Sequence, residues 1–320
     1  MKRLPVLLGM LLLTGVAGWL ALKFDVSELF ELSLPVTVGL VLVTVIFMLN
    51  HALGVSLILR GMGANVPYLR TYHVITGAAA ASYLGNLQLS VPLRVFMLNR
   101  LLNVPVGIGV GAVGVEALLW IGMMGTIVAL PVTAIWGSLA WLPSVVALLG
   151  CAGGALSLRY LPAVGKLIPD RLGRFPLRRL REFTTDLDQG IRLIKPRNLV
   201  LAGGCFAVNY SLDALSLYVL LNALGYSVNP VYLLYVIVLS YLAGALSMIP
   251  MGLGTRDISF IMMLTHLGPS PEVAATAALL QRVLRSLIPL LLSVISLNVL
   301  GVKHLGRQRL EEDATSAVGP

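Results

Sequence analysis

The sequence predicts an all-α fold: a polytopic transmembrane helix bundle of about seven to eight spans, two further segments being broken or re-entrant. Three observations predict it. Of 320 residues, 58% are hydrophobic and only 12% are charged, whereas a soluble domain carries about 25% charged residues. Apolar runs long enough to cross a bilayer recur along the whole chain. The net charge of +9, with a pI near 9.8, sits mostly between and beside those runs. Cytoplasmic loops and anionic lipids require that pattern, so the basic balance does not point to nucleic acid.

The candidate spans are Leu4–Leu22, Leu34–Leu59, Val106–Leu130, Leu142–Leu158, Leu199–Leu221, Val231–Ile249 and Glu272–Leu300. The first follows Met1-Lys2-Arg3 and precedes no clean small-x-small cleavage site, so it is expected to be retained rather than removed as a signal peptide. Together these elements form a single transmembrane domain over residues 1–302, followed by a polar tail over 303–320.

Two apolar stretches are interrupted. Thr71–Asn99 is broken around Asn86–Pro92, and Pro250–Gly268 opens with Pro250-Met251-Gly252-Leu253-Gly254-Thr255-Arg256-Asp257. Proline removes a backbone donor, and irregular backbone at membrane depth survives only where protein buries it or water reaches it. Pro92, Pro250, Gly252 and Gly254 therefore mark broken-helix backbone, with 250–257 expected to be non-helical beside a polar cavity. Broken segments in both halves suggest inverted repeats around a transport site.

The longest polar stretch, Arg159–Arg197, holds ten Arg/Lys against four acids and is expected to be cytoplasmic. Within it, Leu177, Leu180, Phe183, Leu187, Ile191 and Ile194 recur at helical spacing between Pro176 and Pro196. That is an amphipathic helix, either lying on the inner membrane surface or packed on the bundle. The acidic loop 23–33 belongs outside, which sets Arg60 and Arg70 inside and the N-terminus in the cytoplasm. The first broken segment is then a re-entrant hairpin. Lys303, Arg307 and Arg309 favour an inside C-terminus.

Ionisable residues at membrane depth are costly and mark function by default. Here they are Arg94, Glu116, Asp213, Arg256, Asp257, Arg282 and Arg285. Arg282 and Arg285 are three apart and share a helix face. Glu116, Asp213 and Asp257 either neutralise the arginines and lock the bundle or carry a coupling proton. The four arginines exceed the three acids, and a guanidinium fork binds phosphate bidentately while staying charged.

Other patterns carry no chemistry. Gly109–Gly114 matches a dinucleotide-binding spacing, but no strand precedes it and it lies within a span. Asp213 and Asp257 lack the signatures of intramembrane aspartyl proteases. His51, His73, His266 and His304 are scattered without paired metal spacing, and Cys151 and Cys205 lie in apolar runs as packing residues. No catalytic residues, metal or cofactor are expected, and the chain is read as a non-enzyme.

Ser247–Asp257, then Leu267-Gly268, then Ala274–Arg282, resembles the C-terminal signature of the lysylphosphatidylglycerol synthase transmembrane family. This flippase-like family includes the membrane half of bacterial multiple peptide resistance factor. Its pattern runs Pro-Gly-Gly-Leu-Gly-x-Arg-Glu, with Met251 and Asp257 as departures here. Pro92-Leu93-Arg94, with Asn86 and Ser90 upstream, is similar to the family's first re-entrant region. Glu116 falls where members carry a Glu-Arg-x-x-Asp run, with Ala117 and Trp120 replacing the Arg and Asp.

The resemblance implies a lipid-handling protein of the plasma or inner membrane. Its partners would be anionic phospholipids or polyprenyl-phosphate lipids. Arg94, Arg256, Arg282 and Arg285 would bind the headgroup, with Glu116, Asp213 and Asp257 pairing or coupling. The sequence stops at Pro320 without the aminoacyl-transferase domain of bifunctional members, so lipid aminoacylation is not expected. Two other readings stand beside transport: a non-transporting lipid-binding accessory subunit of a membrane glycosyltransferase or lipid-modifying enzyme, and an intramembrane enzyme acting on lipid.

Overall fold

A computed structural model describes residues 32–84, 87–129, 185–247 and 254–317. The candidate spans Leu4–Leu22 and Leu142–Leu158 lie outside these residues. The described residues form helices and no strands. In chain order they are α1 (Leu34–Gly61), α2 (Tyr68–Leu84), α3 (Leu87–Leu102), α4 (Val106–Ala129), α5 (Pro196–Ala223), α6 (Pro230–Leu246), α7 (Thr255–His266) and α8 (Pro271–Ala317). Four of them, α1, α4, α5 and α8, are long and apolar enough to cross a membrane. Along α1 the exposed side chains Leu34, Val38, Leu42, Ile46, Leu49 and Leu53 recur every three or four residues. An uninterrupted apolar stripe facing outward has no place in water; it is a lipid-facing surface.

The two halves repeat one plan. Each consists of a long helix, a pair of shorter helices and a second long helix: α1, α2–α3, α4, then α5, α6–α7, α8. Leu34 and Pro196, which start the long helices, are 162 residues apart, and so are Leu84 and Leu246, which end α2 and α6. Between these limits the turns match as well. Gly63 and Gly225 follow their long helices at φ +86° and +84°, a left-handed conformation that glycine adopts without steric cost. Val66 and Val228 are both buried just beyond. The contacts repeat as well, within and between the halves: α1·α2 matches α5·α6, α2·α3 matches α6·α7, and α2·α8 matches α6·α4.

The repeats are inverted. As residue number rises along α1 through Asn50, Gly54 and Gly61, the partner on α5 falls through Asn209, Phe206 and Asn198. The two long helices are therefore antiparallel, and their contact is the most extensive among the described helices. Gly54 permits the close approach, since a Cβ there would stand 2.9 Å from the Phe206 ring. Two apolar cores form, one centred on each half and each completed by residues of the other half. One gathers Val55–Met62, Val74, Leu98 and Ala202; the other gathers Leu217–Leu221, Leu233–Val238, Leu264 and Ala274.

Three expectations need correction. Val231–Ile249 is not a full-length span: α6 stops at Leu246 after 17 residues and packs on α7, so it is one arm of a broken pair. At 1.5 Å per residue α6 is about 25 Å long, short of a ~30 Å hydrocarbon core. Pro92 does not break the chain. Pro92 lies inside α3, near its start, where its missing N–H removes one helix bond. Thr255, Arg256 and Asp257 are helical rather than irregular, because Gly254 (φ +83°) ends the turn and its N–H donates to Asp257 Oδ2 at 3.2 Å. Pro250 and Gly252 lie outside the described residues. The described end of the amphipathic linker, 185–193, is helical and packs on the bundle: Leu187 is fully buried and reaches Gly111 of α4.

Candidate functional site

The membrane-depth charges come together as three ion pairs, each built within one half. In the first half, α3 supplies Arg94 and α4 supplies Glu116. Arg94 Nη1 donates to Glu116 Oε1 at 3.2 Å, and Nη2 meets Oε2, so the guanidinium fork grips the carboxylate with both arms. Oε1 is also 2.7 Å from His51 Nε2 of α1. In the second half, α5 supplies Asp213, whose side chain is 1% exposed, and α8 supplies Arg285, which pairs with it. Tyr241 of α6 donates its hydroxyl to Asp213 Oδ2 at 3.3 Å. The third pair joins Asp257 of α7 to Arg282 of α8. Thr255 Oγ1 donates to Ser247 Oγ at 2.8 Å and ties the start of α7 to the end of α6.

These groups make a continuous seam. Arg285 lies over the Phe47 ring, 4.2 Å from its centroid, and Phe47 stands edge-on to His51. Trp120, Phe206 and Tyr210 stack beside them. At the other end Arg256 lies 4.2 Å over the Tyr241 ring. Among the described residues Arg256 has no carboxylate partner, so three acids meet four arginines and one guanidinium is left over. Arg285 Nε and Nη1 and Arg94 Nε are buried and have no hydrogen-bond partner among the described residues. Pro289 lies four residues beyond Arg285 and lacks the N–H that would bond the Arg285 carbonyl.

The inverted repeat relates the two clusters position by position. His51 and Asp213 each lie seventeen residues after the first residue of their helix, Leu34 and Pro196. Glu116 and Gln281 each lie ten residues after Val106 and Pro271, and Trp120 and Arg285 fourteen after. Equivalent positions thus carry unlike chemistry. The first half sets a histidine against its Glu–Arg pair; the second holds an Asp–Arg pair with no histidine beside it among the described residues.

Sequence reading had found Arg94, Glu116, Asp213, Arg256, Asp257, Arg282 and Arg285 as membrane-depth charges. It had missed His51, Phe47 and Tyr241. His51 looked isolated because its partner is 65 residues away on another helix. The glycines 109–114 lie inside α4, where Gly109 and Gly111 face Val95, Met62 and Leu187, so their role is helix packing.

Helical architecture, lipid-facing stripes and buried intramembrane ion pairs define a polytopic integral membrane protein. Residues 6–293 match the family described as "Lysylphosphatidylglycerol synthase TM region", and the chain belongs to that family. A stretch of 93 residues is 31% identical to the UPF0104 membrane protein MJ1595 of Methanocaldococcus jannaschii, covering 29% of this chain and 28% of that protein.

Proposed function

We propose that the protein carries the headgroup of an anionic phospholipid or polyprenyl-linked lipid across the bilayer through the polar seam, its acyl or prenyl chains remaining in lipid. The carrying observation is the set of buried guanidinium N–H groups on Arg94 and Arg285 without partners among the described residues, beside Arg256, which has no salt bridge among the described residues. A phosphate supplies the acceptors and negative charge that such groups lack. Inverted repeats with broken helices at their centre support transport in preference to static binding. Gly61 and Asn198 lie side by side, so Arg60, Lys195 and Arg197 share one end of the bundle. We read that basic end as cytoplasmic, in the plasma or inner membrane, with the N-terminus on the same side.

The test separates ligand binding from structural pairing. Arg282→Ala, Arg285→Ala and Arg285→Lys proteins are purified and checked by thermal melt. Bound phospholipid is then quantified, and headgroup translocation is measured in phosphatidylcholine vesicles containing fluorescent phosphatidylglycerol. The expected result is folded variants with translocation at least tenfold reduced, and poor rescue by lysine, which lacks the planar fork. Normal lipid retention and translocation in well-folded Arg282→Ala and Arg285→Ala proteins would sink the reading.

A further inference from the structure

The two clusters differ in one respect that symmetry does not require: among the described residues, only the first sets a histidine against its arginine-paired carboxylate. Glu116 has two bonding partners at once. Arg94 holds it through both arms, and His51 Nε2 touches Oε1. An arginine stays charged throughout the physiological range, whereas a neutral imidazole can accept a proton on one ring nitrogen as it gives one up from the other, and a carboxylate can receive it.

We infer that Glu116 and His51 form a proton-exchange site that couples one proton to each lipid phosphate bound at Arg94. This rests on the headgroup-binding reading above. When the site is empty, Arg94 and ionised Glu116 neutralise each other. A phosphodiester anion entering the seam competes for the same fork. As it takes Arg94, the released carboxylate gains a proton at Oε1, delivered through His51 from the aqueous side. On release of the phosphate, Glu116 returns that proton and closes on Arg94 again. In both states the buried charges sum to zero, as a low-dielectric site demands. One anion and one proton move together, so the cycle transfers no net charge.

The surroundings suit that exchange. His51 is the most accessible member, its side chain 19% exposed against 8% for Glu116 and 12% for Arg94. Phe47, Trp120 and Phe206 wall the imidazole on its other sides. Three titratable groups on α5 and α6 near the cluster have partners elsewhere, while Arg285 of α8 sits over the Phe47 ring beside His51. From α5, Asp213 is paired with Arg285, and Tyr210 donates its hydroxyl to the Trp120 carbonyl. From α6, Tyr241 is bound to Asp213. The 185–193 helix meets α4 at Ile108 and Gly111, more than a turn before Glu116, and its Asp188 pairs with Arg192.

The experiment uses the full chain in phosphatidylcholine vesicles containing acyl-labelled fluorescent phosphatidylglycerol, with a pH step across the membrane and a pH-sensitive dye inside. Wild-type protein should drive labelled lipid toward the alkaline leaflet and reverse with the gradient. The leaflet ratio should approach about tenfold per pH unit for one proton per lipid. Whatever exchange Glu116→Gln supports should ignore the gradient and carry no proton. His51→Gln should slow the approach to the same final ratio, because it removes the relay and leaves the acceptor. Wild-type protein that equilibrates labelled lipid with no response to the pH step would overturn the inference and leave headgroup transport standing. Failure of wild-type protein to move the lipid at all would overturn the reading beneath it as well.

Discussion

Asp213 shows what a single buried charge commits the chain to. Its carboxylate is almost fully enclosed, and Arg285, Tyr241 and the Gln281 side-chain amide all converge on that residue. Removing the acid strands a buried guanidinium. We therefore expect Asp213→Ala to lose about 3–5 kcal/mol of stability, the usual penalty for breaking one side of a buried pair. Adding Arg285→Leu should recover most of it, since the second change removes the stranded charge. Thermal melts of the single and double variants in detergent check this; a double variant that melts no higher than the single would show that Arg285 was never stranded. The site was legible in the sequence to the extent that charge at membrane depth is conspicuous. Arg94, Glu116, Asp213 and Asp257 stand out from apolar neighbours, but nothing in their spacing says which arginine each acid meets. His51 was illegible for a related reason. A lone histidine in an apolar helix has the same sequence signature whether it packs or pairs.

At the scale of the element, the contact between α1 and α5 rests on small residues. Gly54 faces Phe206 and the Cys205 Cβ, with no room for a branched side chain. Gly54→Val would force the two helices apart or push Phe206 off its stack with Trp120. We expect a loss of about 1–3 kcal/mol from overpacking, together with weaker lipid translocation, because His51 lies one turn away on the same face. A thermal melt indistinguishable from wild type would mean that the helices are not in close contact there. Helix ends were mostly readable, since Pro196, Pro230 and Pro271 each open a helix. The shortness of α6 was not. Its apolar run continues past Leu246, and hydropathy alone cannot distinguish a span that crosses from an arm that stops and folds back on α7.

At the scale of the molecule, the antiparallel crossing makes a geometric prediction. A Cβ on Gly61 would lie 3.3 Å from that of Asn198, close to the separation a disulfide needs. In a background with Cys151 and Cys205 replaced by serine, Gly61→Cys with Asn198→Cys should cross-link readily under mild oxidation. A pair at Gly39 and Asn198 should not, since Gly39 lies near the opposite end of α1. Cross-linking of the second pair and not the first would reverse the orientation of α5. The existence of two similar halves was foreshadowed by their interrupted segments. Their correspondence, residue for residue over Leu34–Leu84 and Pro196–Leu246, is hidden because the equivalent side chains have diverged.

That divergence has an ancestral meaning. A half-molecule able to sit either way up could in principle assemble with an identical copy, but each copy would then bear the same side chain at every equivalent position. Two histidines would replace the combination of His51 and Asp213, and two glutamates would replace Glu116 and Gln281. Joining both orientations in one polypeptide releases that constraint. One repeat is free to keep a permanently charged clasp while the other evolves a group that changes its state. Division of labour between twins requires that they be inherited separately, and a single chain carrying both is how a protein accomplishes that.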